Sequence, residues 1–150
     1  MSNTVTFSGT GELTQSMVNS DIGSATIVII EGYTSIASYA FSSKTNIISV
    51  TIPVSVTTIG TSAFYDCSSL ISIIVDVNNI SYSSIGDVLF NKSETILITF
   101  PRGKSGAYTI PNSVTTIGAY AFRSCTGLTL VTIPNSVTTI ELSVFESCIG

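Results

Sequence analysis

The 150-residue chain contains no histidine and no tryptophan. Without histidine it lacks the side chain that most often serves as general base or metal ligand near neutral pH. Charge is scarce too: Asp, Glu, Lys and Arg make up 9% of the residues, against roughly 25% in an average soluble domain. Five Lys/Arg stand against nine Asp/Glu, for a net charge of −4. Nucleic acid is excluded as a partner class, because phosphate binding requires clustered cations that release counterions. The longest clean apolar stretch is Ile27-Val28-Ile29-Ile30, far short of the ~20 residues of a spanning helix, so no membrane insertion is expected. Met1 leads into Ser2-Asn3-Thr4, without the basic and apolar regions of a secretory leader; an exported protein would have been trimmed to this sequence. What the chain has in place of charge is hydroxyl: 25 Ser and 21 Thr among 44% hydrophobic residues.

Those residues are organised as a repeat. Phe41, Phe64, Phe90, Phe122 and Phe145 each follow an isoleucine by five places, namely Ile36, Ile59, Ile85, Ile117 and Ile140. The steps between phenylalanines are 23, 26, 32 and 23 residues. Three units share the phrases "TIPVSVTTIGTSAFYDC", "TIPNSVTTIGAYAFRSC" and "TIPNSVTTIELSVFESC". Each has a proline eleven residues before Phe (Pro53, Pro111, Pro134) and a cysteine three after it (Cys67, Cys125, Cys148). The first unit, "VIIEGYTSIASYAFSSK", has Ile30 and Lys44 at these two positions.

A 23-residue period predicts a solenoid with one short strand per turn. Ser49-Val50-Thr51-Ile52 and Thr129-Leu130-Val131-Thr132-Ile133 alternate in the manner of strands with one buried face. Proline, having no N–H for the ladder, ends each strand. Gly60, Gly86 and Gly118 are expected to supply a permissive backbone angle. Thr61-Ser62-Ala63-Phe64 and its equivalents read as one helical turn with Phe inward. The predicted core is the Ile/Phe set with Val50, Ile52, Leu70, Val75, Leu128, Val131 and Ile133. Truncating Phe64 to Ala is expected to cost about 3–5 kcal/mol.

The phrase "IPNSVTTIGAYAFRSCTGLTLVTIP" resembles the BspA-like (Treponema-type) leucine-rich repeat. The middle, "YSSIGDVLFNKSETILITFP" followed by "YTIP", resembles that family's variant repeat, and "VTFSGTGELTQ" its usual entry into the array. Departures fall at Ala37 and Glu141, where the family has glycine. The resemblance implies a right-handed leucine-rich-repeat solenoid of parallel β-strands and short helical or 3-10 turns, with about five coils behind an N-terminal cap. It also implies an adhesin or ligand-binding protein, at the cell surface or secreted.

The expected organisation is a single repeat domain over 1–150. Residues 1–26 form the cap and 27–150 the repeats, with an expanded variant repeat at about 71–110. In the cap, Val5-Thr6-Phe7 reads as a strand, Gly9-Thr10-Gly11 as a turn and Leu13 to Asn19 as a short helix, with Met17 and Val18 packing onto the first coil. The sequence stops in mid-repeat at Ile149-Gly150, pointing to a fragment, to a partner covering the open end, or to end-to-end self-association with a second copy through the uncapped last coil.

Candidate chemistry is sparse. Three cysteines at one repeat position read as buried free thiols, since stacked positions point in parallel directions and the count is odd; no metal site is expected from them. Asp76, Asp87 and Glu94 are the nearest candidates for a carboxylate pair, but no strand or helix spacing places two on one face. The chain therefore reads as non-enzymatic, with no cofactor. Asn79-Ile80-Ser81 and Asn91-Lys92-Ser93 are glycosylation sequons. Ranks of threonine (Thr51, Thr109, Thr132 and Thr57/Thr58, Thr115/Thr116, Thr138/Thr139) raise an ice-binding face, against which each strand offers one Thr rather than two.

The function expected is thus a non-catalytic protein-interaction or adhesion module, with an ice- or glycan-binding surface as the alternative and a carbohydrate-active enzyme behind it. The partner is a protein or surface glycan. The candidate binding surface comprises Ser49, Thr51, Ser72, Ile74, Leu130 and Thr132 on outward strand positions, with Arg102 and Lys104 in the variant-repeat loop.

Overall fold

The computed structural model describes residues 3–149; Met1 and Ser2 of the expected cap and Gly150 of the last repeat lie outside the described residues. In chain order the elements are β1 (Thr4–Ser8), β2 (Glu12–Leu13), α1 (Gln15–Asp21), β3 (Ile27–Glu31), β4 (Ser35–Ile36), β5 (Ser49–Ile52) and β6 (Thr58–Ile59). They continue with β7 (Ser72–Val75), β8 (Tyr82–Ile85), β9 (Val88–Asn91), β10 (Ile96–Thr99), β11 (Gly106–Thr109), β12 (Thr116–Ile117), β13 (Leu128–Thr132) and β14 (Thr139–Ile140). The molecule is a β-solenoid of about six turns with little helix. The residues before the array themselves form the first turn: β1 pairs in parallel with β3, and β2 with β4.

Each coil follows from its sequence. Alternation of Val or Ile with hydroxyls buries Val50 and Ile52 and turns Ser49 and Thr51 outward. A turn then begins at the proline, closed by the N–H of Val56, Val114 or Val137 on the carbonyl of Pro53, Pro111 or Pro134. The chain leaves it as a two-residue strand that pairs with its equivalents, Ser35 opposite Thr58 and Thr116 opposite Thr139. Within the first coil α1 is capped by Thr14, whose side chain accepts from the Met17 N–H. Val18 is buried under it, whereas Met17 is exposed.

The Phe segments are not helical turns. They are runs of overlapping tight turns, with Ala63 N–H on Gly60 O, Tyr65 N–H on Ser62 O and Cys67 N–H on Phe64 O. The residues two before and two after each Phe are left-handed: Tyr39/Ser43, Ser62/Asp66, Tyr120/Ser124 and Ser143/Ser147, with φ between 51° and 60°. Gly60 and Gly118 do not supply the positive φ expected of them. Their role is close approach, since a Cβ on Gly60 would collide with the Ser38 backbone and one on Gly118 would press on Leu97 O. Gly86, in the β8–β9 turn, does have a positive φ of 55°.

The variant repeat departs furthest from a uniform stack. β8, β9 and β10 form an antiparallel meander, and β10 alone rejoins the parallel array by pairing with β12. Ile85 is therefore at the exposed end of a hairpin rather than in the core. Phe90 is buried, but on β9, opposite Leu97. The aromatic place in the stack goes to Phe100, whose ring lies 5.1 Å from Phe122, itself 5.2 Å from Phe145. Ile133, Ile140 and Phe145, expected in the core, are partly exposed because no further coil covers them among the described residues. Ile59 and Val131 are half-buried against the core.

The apolar interior forms two clusters, and β9 is shared between them. Leu89 packs in the first, with Phe41 and Phe64, while Val88 and Phe90 pack in the second, with Phe100 and Phe122. Successive residues of a strand point to opposite faces, which is how one strand serves both.

Candidate functional site

The outward face of the sheet β1-β3-β5-β7 carries two rows fixed by strand register. One is Thr6, Ile29, Thr51, Ile74; the other is Thr4, Ile27, Ser49, Ser72. Isoleucines alternate with hydroxyls along the first row, and Ile74 is 45% exposed. Of the sequence-predicted surface, Ser49, Thr51, Ser72 and Ile74 share this face. Leu130 and Thr132 lie on the separate two-stranded sheet β11-β13, beside Ala107 and Thr109. Ile27 and Ile29 were missed because "IVIIE" is a continuous apolar run that conceals which residues alternate outward.

Ser72, and the loop residues Arg102 and Lys104, also have partners within the chain. Ser72 Oγ donates to Asp87 Oδ1 at 2.7 Å, and Lys104 Nζ reaches Asp87 Oδ2 at 3.4 Å and Gly86 O at 3.1 Å. Asp87 thus ties the end of the first sheet to the loop before β11. Arg102 pairs with Asp66 and donates from Nε to Ser124 O at 3.0 Å. Lys92 Nζ donates to Val77 O. Asp76 and Glu94 line one shallow depression with Lys92; the Asp76 carboxylate accepts the Asn78 N–H, and Glu94 accepts from Ser83 Oγ.

The asparagines of both sequons are structural. Asn79 is fully buried; its amide donates to Pro53 O and Val56 O, and its oxygen accepts the N–H groups of Ser81 and Tyr82. Asn91 donates to Ser93 and Thr95 hydroxyls and accepts from Ile96 N–H. The corner threonines also have a local partner, since Thr34, Thr57, Thr115 and Thr138 each donate to a carbonyl of the preceding coil.

The cysteines are free thiols. Each donates to the carbonyl of the phenylalanine one coil earlier: Cys67 to Phe41 at 3.0 Å, Cys125 to Phe100 at 3.8 Å and Cys148 to Phe122 at 2.8 Å. Burial pushes Cys67 up to about 11 and Cys125 up to about 12, with Cys148 adding to the rise at Cys125; burial likewise raises Tyr108 to about 12. Since the thiolate is the nucleophile, Cys67 and Cys125 should alkylate with iodoacetamide at pH 8 on the order of a hundredfold slower folded than in urea. Mass spectrometry of the labelled chain checks this. These raised values favour the fold below pH 9, where the thiols are protonated in both states. That contribution is lost as pH climbs from about 9 toward 11–12, so the urea midpoint should fall over that window.

A groove of about 360 Å³ opens where the variant repeat lacks a turn segment. Its walls are the turn of residues 60–66 and the turn of residues 118–124; between them Ile96 and Ile98 are partly exposed, while Leu70 and Phe100 are buried. Arg102 closes one end. Arg123 spans the mouth, its guanidinium 4.8 Å from the Tyr65 ring and 5.3 Å from the Tyr120 ring, held by Glu146 at 2.9 Å. No sequence signal marked this groove beyond the 32-residue step between Phe90 and Phe122.

Residues 104–150 match the family model for the BspA type leucine rich repeat region (6 copies). The pneumococcal vaccine antigen PcpA superposes with a TM-score of 0.71 at 20% identity, covering 98% of this chain and 40% of PcpA. A leucine-rich cell surface protein of Faecalibacterium prausnitzii gives 0.58 at 25% identity, covering 93% of this chain and 45% of that one. A leucine-rich repeat protein of Eubacterium ventriosum gives 0.53 at 24%, covering 96% and 59%. This chain therefore spans less than two thirds of each of these structures. No curated protein matches it. Residues 104–150 thus carry the BspA-type leucine-rich repeat, and the chain as a whole has the solenoid fold of leucine-rich-repeat proteins.

Proposed function

We propose that the chain is a non-catalytic module, part of a surface protein, that adheres to a protein ligand through the outward face of β1-β3-β5-β7. One observation carries the reading: the register places the partly exposed Ile27, Ile29 and Ile74 among small hydroxyls on one face. Apolar anchors in a surface that costs little to desolvate suit a protein partner better than a small molecule, which needs a deep concave pocket. The name of the F. prausnitzii neighbour, a cell surface protein, supports the location. Of the corner threonines, Thr57, Thr115 and Thr138 already donate to carbonyls, which counts against an ice-binding rank at those three positions.

The test is binding to a panel of purified extracellular proteins and to a glycan array, using wild type and the double variant Ile29→Arg/Ile74→Arg. Both positions point outward, so the variant leaves the buried residues in place. Protein binding weakened at least tenfold in the variant is the expected result. Unchanged affinity would remove this face, and binding confined to glycans would favour the glycan-binding alternative.

A further inference from the structure

At the two junctions where both coils have a complete Phe turn, three N–H groups cross from one coil to the next. Tyr39, Phe41 and Ser43 donate to the carbonyls of Thr61, Ala63 and Tyr65, and Tyr120, Phe122 and Ser124 donate to those of Leu142, Val144 and Glu146. The left-handed residues flanking each Phe set these alternate N–H groups along the stack. In the groove, the equivalent groups of Ser62, Phe64 and Asp66 meet no acceptor among the described residues. The coil that should accept them runs instead through the meander, and on the far wall Phe100 N–H has taken Ala121 O. The ring stack breaks at the same place: Phe41 and Phe64 are stacked at 5.6 Å, and the next stack begins at Phe100.

We infer that this groove is a second binding site, which takes a short turn-forming segment of a partner polypeptide as the missing layer. At the two complete junctions the same three donors meet carbonyls that lie on alternate residues of a run of tight turns, so a segment that folds into those turns presents the three acceptors. The partly exposed Ile96 and Ile98 between the walls receive an apolar side chain from that segment. The volume lies within the roughly 300–1,000 Å³ usual for ligand sites. Unpaired backbone donors beside an apolar floor are costly to leave dry, so a main chain that satisfies them gains affinity that a sugar ring, without evenly spaced carbonyls, does not. The inference rests on the chain being a protein-binding module, but uses a different surface from the sheet face.

The probe is a phage-displayed library of random linear heptapeptides, selected on the intact chain. Selected peptides are then synthesised and added to ¹⁵N-labelled protein for amide hydrogen exchange. The expected result is slowing of exchange at Ser62, Phe64 and Asp66 by at least tenfold, with Tyr39, Phe41 and Ser43 unchanged. Affinity should fall at least tenfold in Thr99→Trp, which fills the groove, and be unchanged in Ile29→Arg/Ile74→Arg. Thr61→Trp, at the exposed rim, serves if Thr99→Trp loses the wild-type circular dichroism spectrum. Peptides that protect other amides, or that bind the blocked variants equally well, overturn the groove site and leave the sheet-face reading standing. Failure to enrich any peptide also overturns it.

Discussion

Asn79→Ala should lower the free energy of unfolding by about 3–5 kcal/mol, read as a drop in urea midpoint at constant slope. The side chain is fully buried and satisfies four backbone groups: the carbonyls of Pro53 and Val56 and the N–H groups of Ser81 and Tyr82. Alanine leaves Val56 O and the Ser81 and Tyr82 N–H groups without this partner, and Pro53 O with the Val56 N–H alone, each lost partner costing roughly 1–3 kcal/mol if no water replaces the amide. Against a typical total of about 5–15 kcal/mol, a loss of this size is a large fraction of the whole. Ser81→Ala removes the same sequon while keeping Asn79, and should stay within about 0.5 kcal/mol of wild type. Equal losses in the two variants would show that the Asn79 network is not what holds this corner.

Phe122→Ala is expected to cost a similar 3–5 kcal/mol, for a different reason. Its ring is fully buried, stacks between Phe100 and Phe145 and meets Tyr108 at 6.0 Å. Truncation leaves a cavity that neighbours on fixed coils cannot close. Phe145 occupies the same repeat position but is 38% exposed, and Phe145→Ala should cost less than about 1.5 kcal/mol. Thermal or urea unfolding of both variants measures the contrast; equal losses would mean that position in the repeat, rather than burial, sets the contribution.

The pair also shows what could be read from the residues. The repeat phrase identified Phe122 and Phe145 as equivalent, and the alternation in "SVTI" correctly turned Val50 and Ile52 inward. Both are properties of a local period, which a sequence displays directly. Burial at the last coil depends on whether another coil follows, and no local pattern encodes that for Ile133 or Ile140. The exchange of Phe90 for Phe100 in the stack was hidden because the Ile85–Phe90 spacing imitates a coil while Gly86-Asp87 makes a hairpin. Asn79 looked like a sequon because a buried amide and a surface acceptor share the same three letters. The groove donors escaped notice because a helical turn would have used those N–H groups internally. The left-handed residues two places either side of Phe64 release them, and neither Ser62 nor Asp66 is a glycine that would announce it.

The strand shared between the two apolar clusters bears on how the molecule melts. In a stack where each coil touches only its neighbours, cooperativity is the product of the junctions, and the transition is as sharp as its weakest one. Here that junction lacks three cross-coil hydrogen bonds and a ring contact. Coupling across it runs through the alternating side chains of Val88, Leu89 and Phe90, the meander bonds around them, and the Arg102 and Arg123 bridges. The β9 segment therefore acts as a mechanical fuse. Strain along the solenoid axis falls on its three side chains, the thinnest apolar connection between the two clusters.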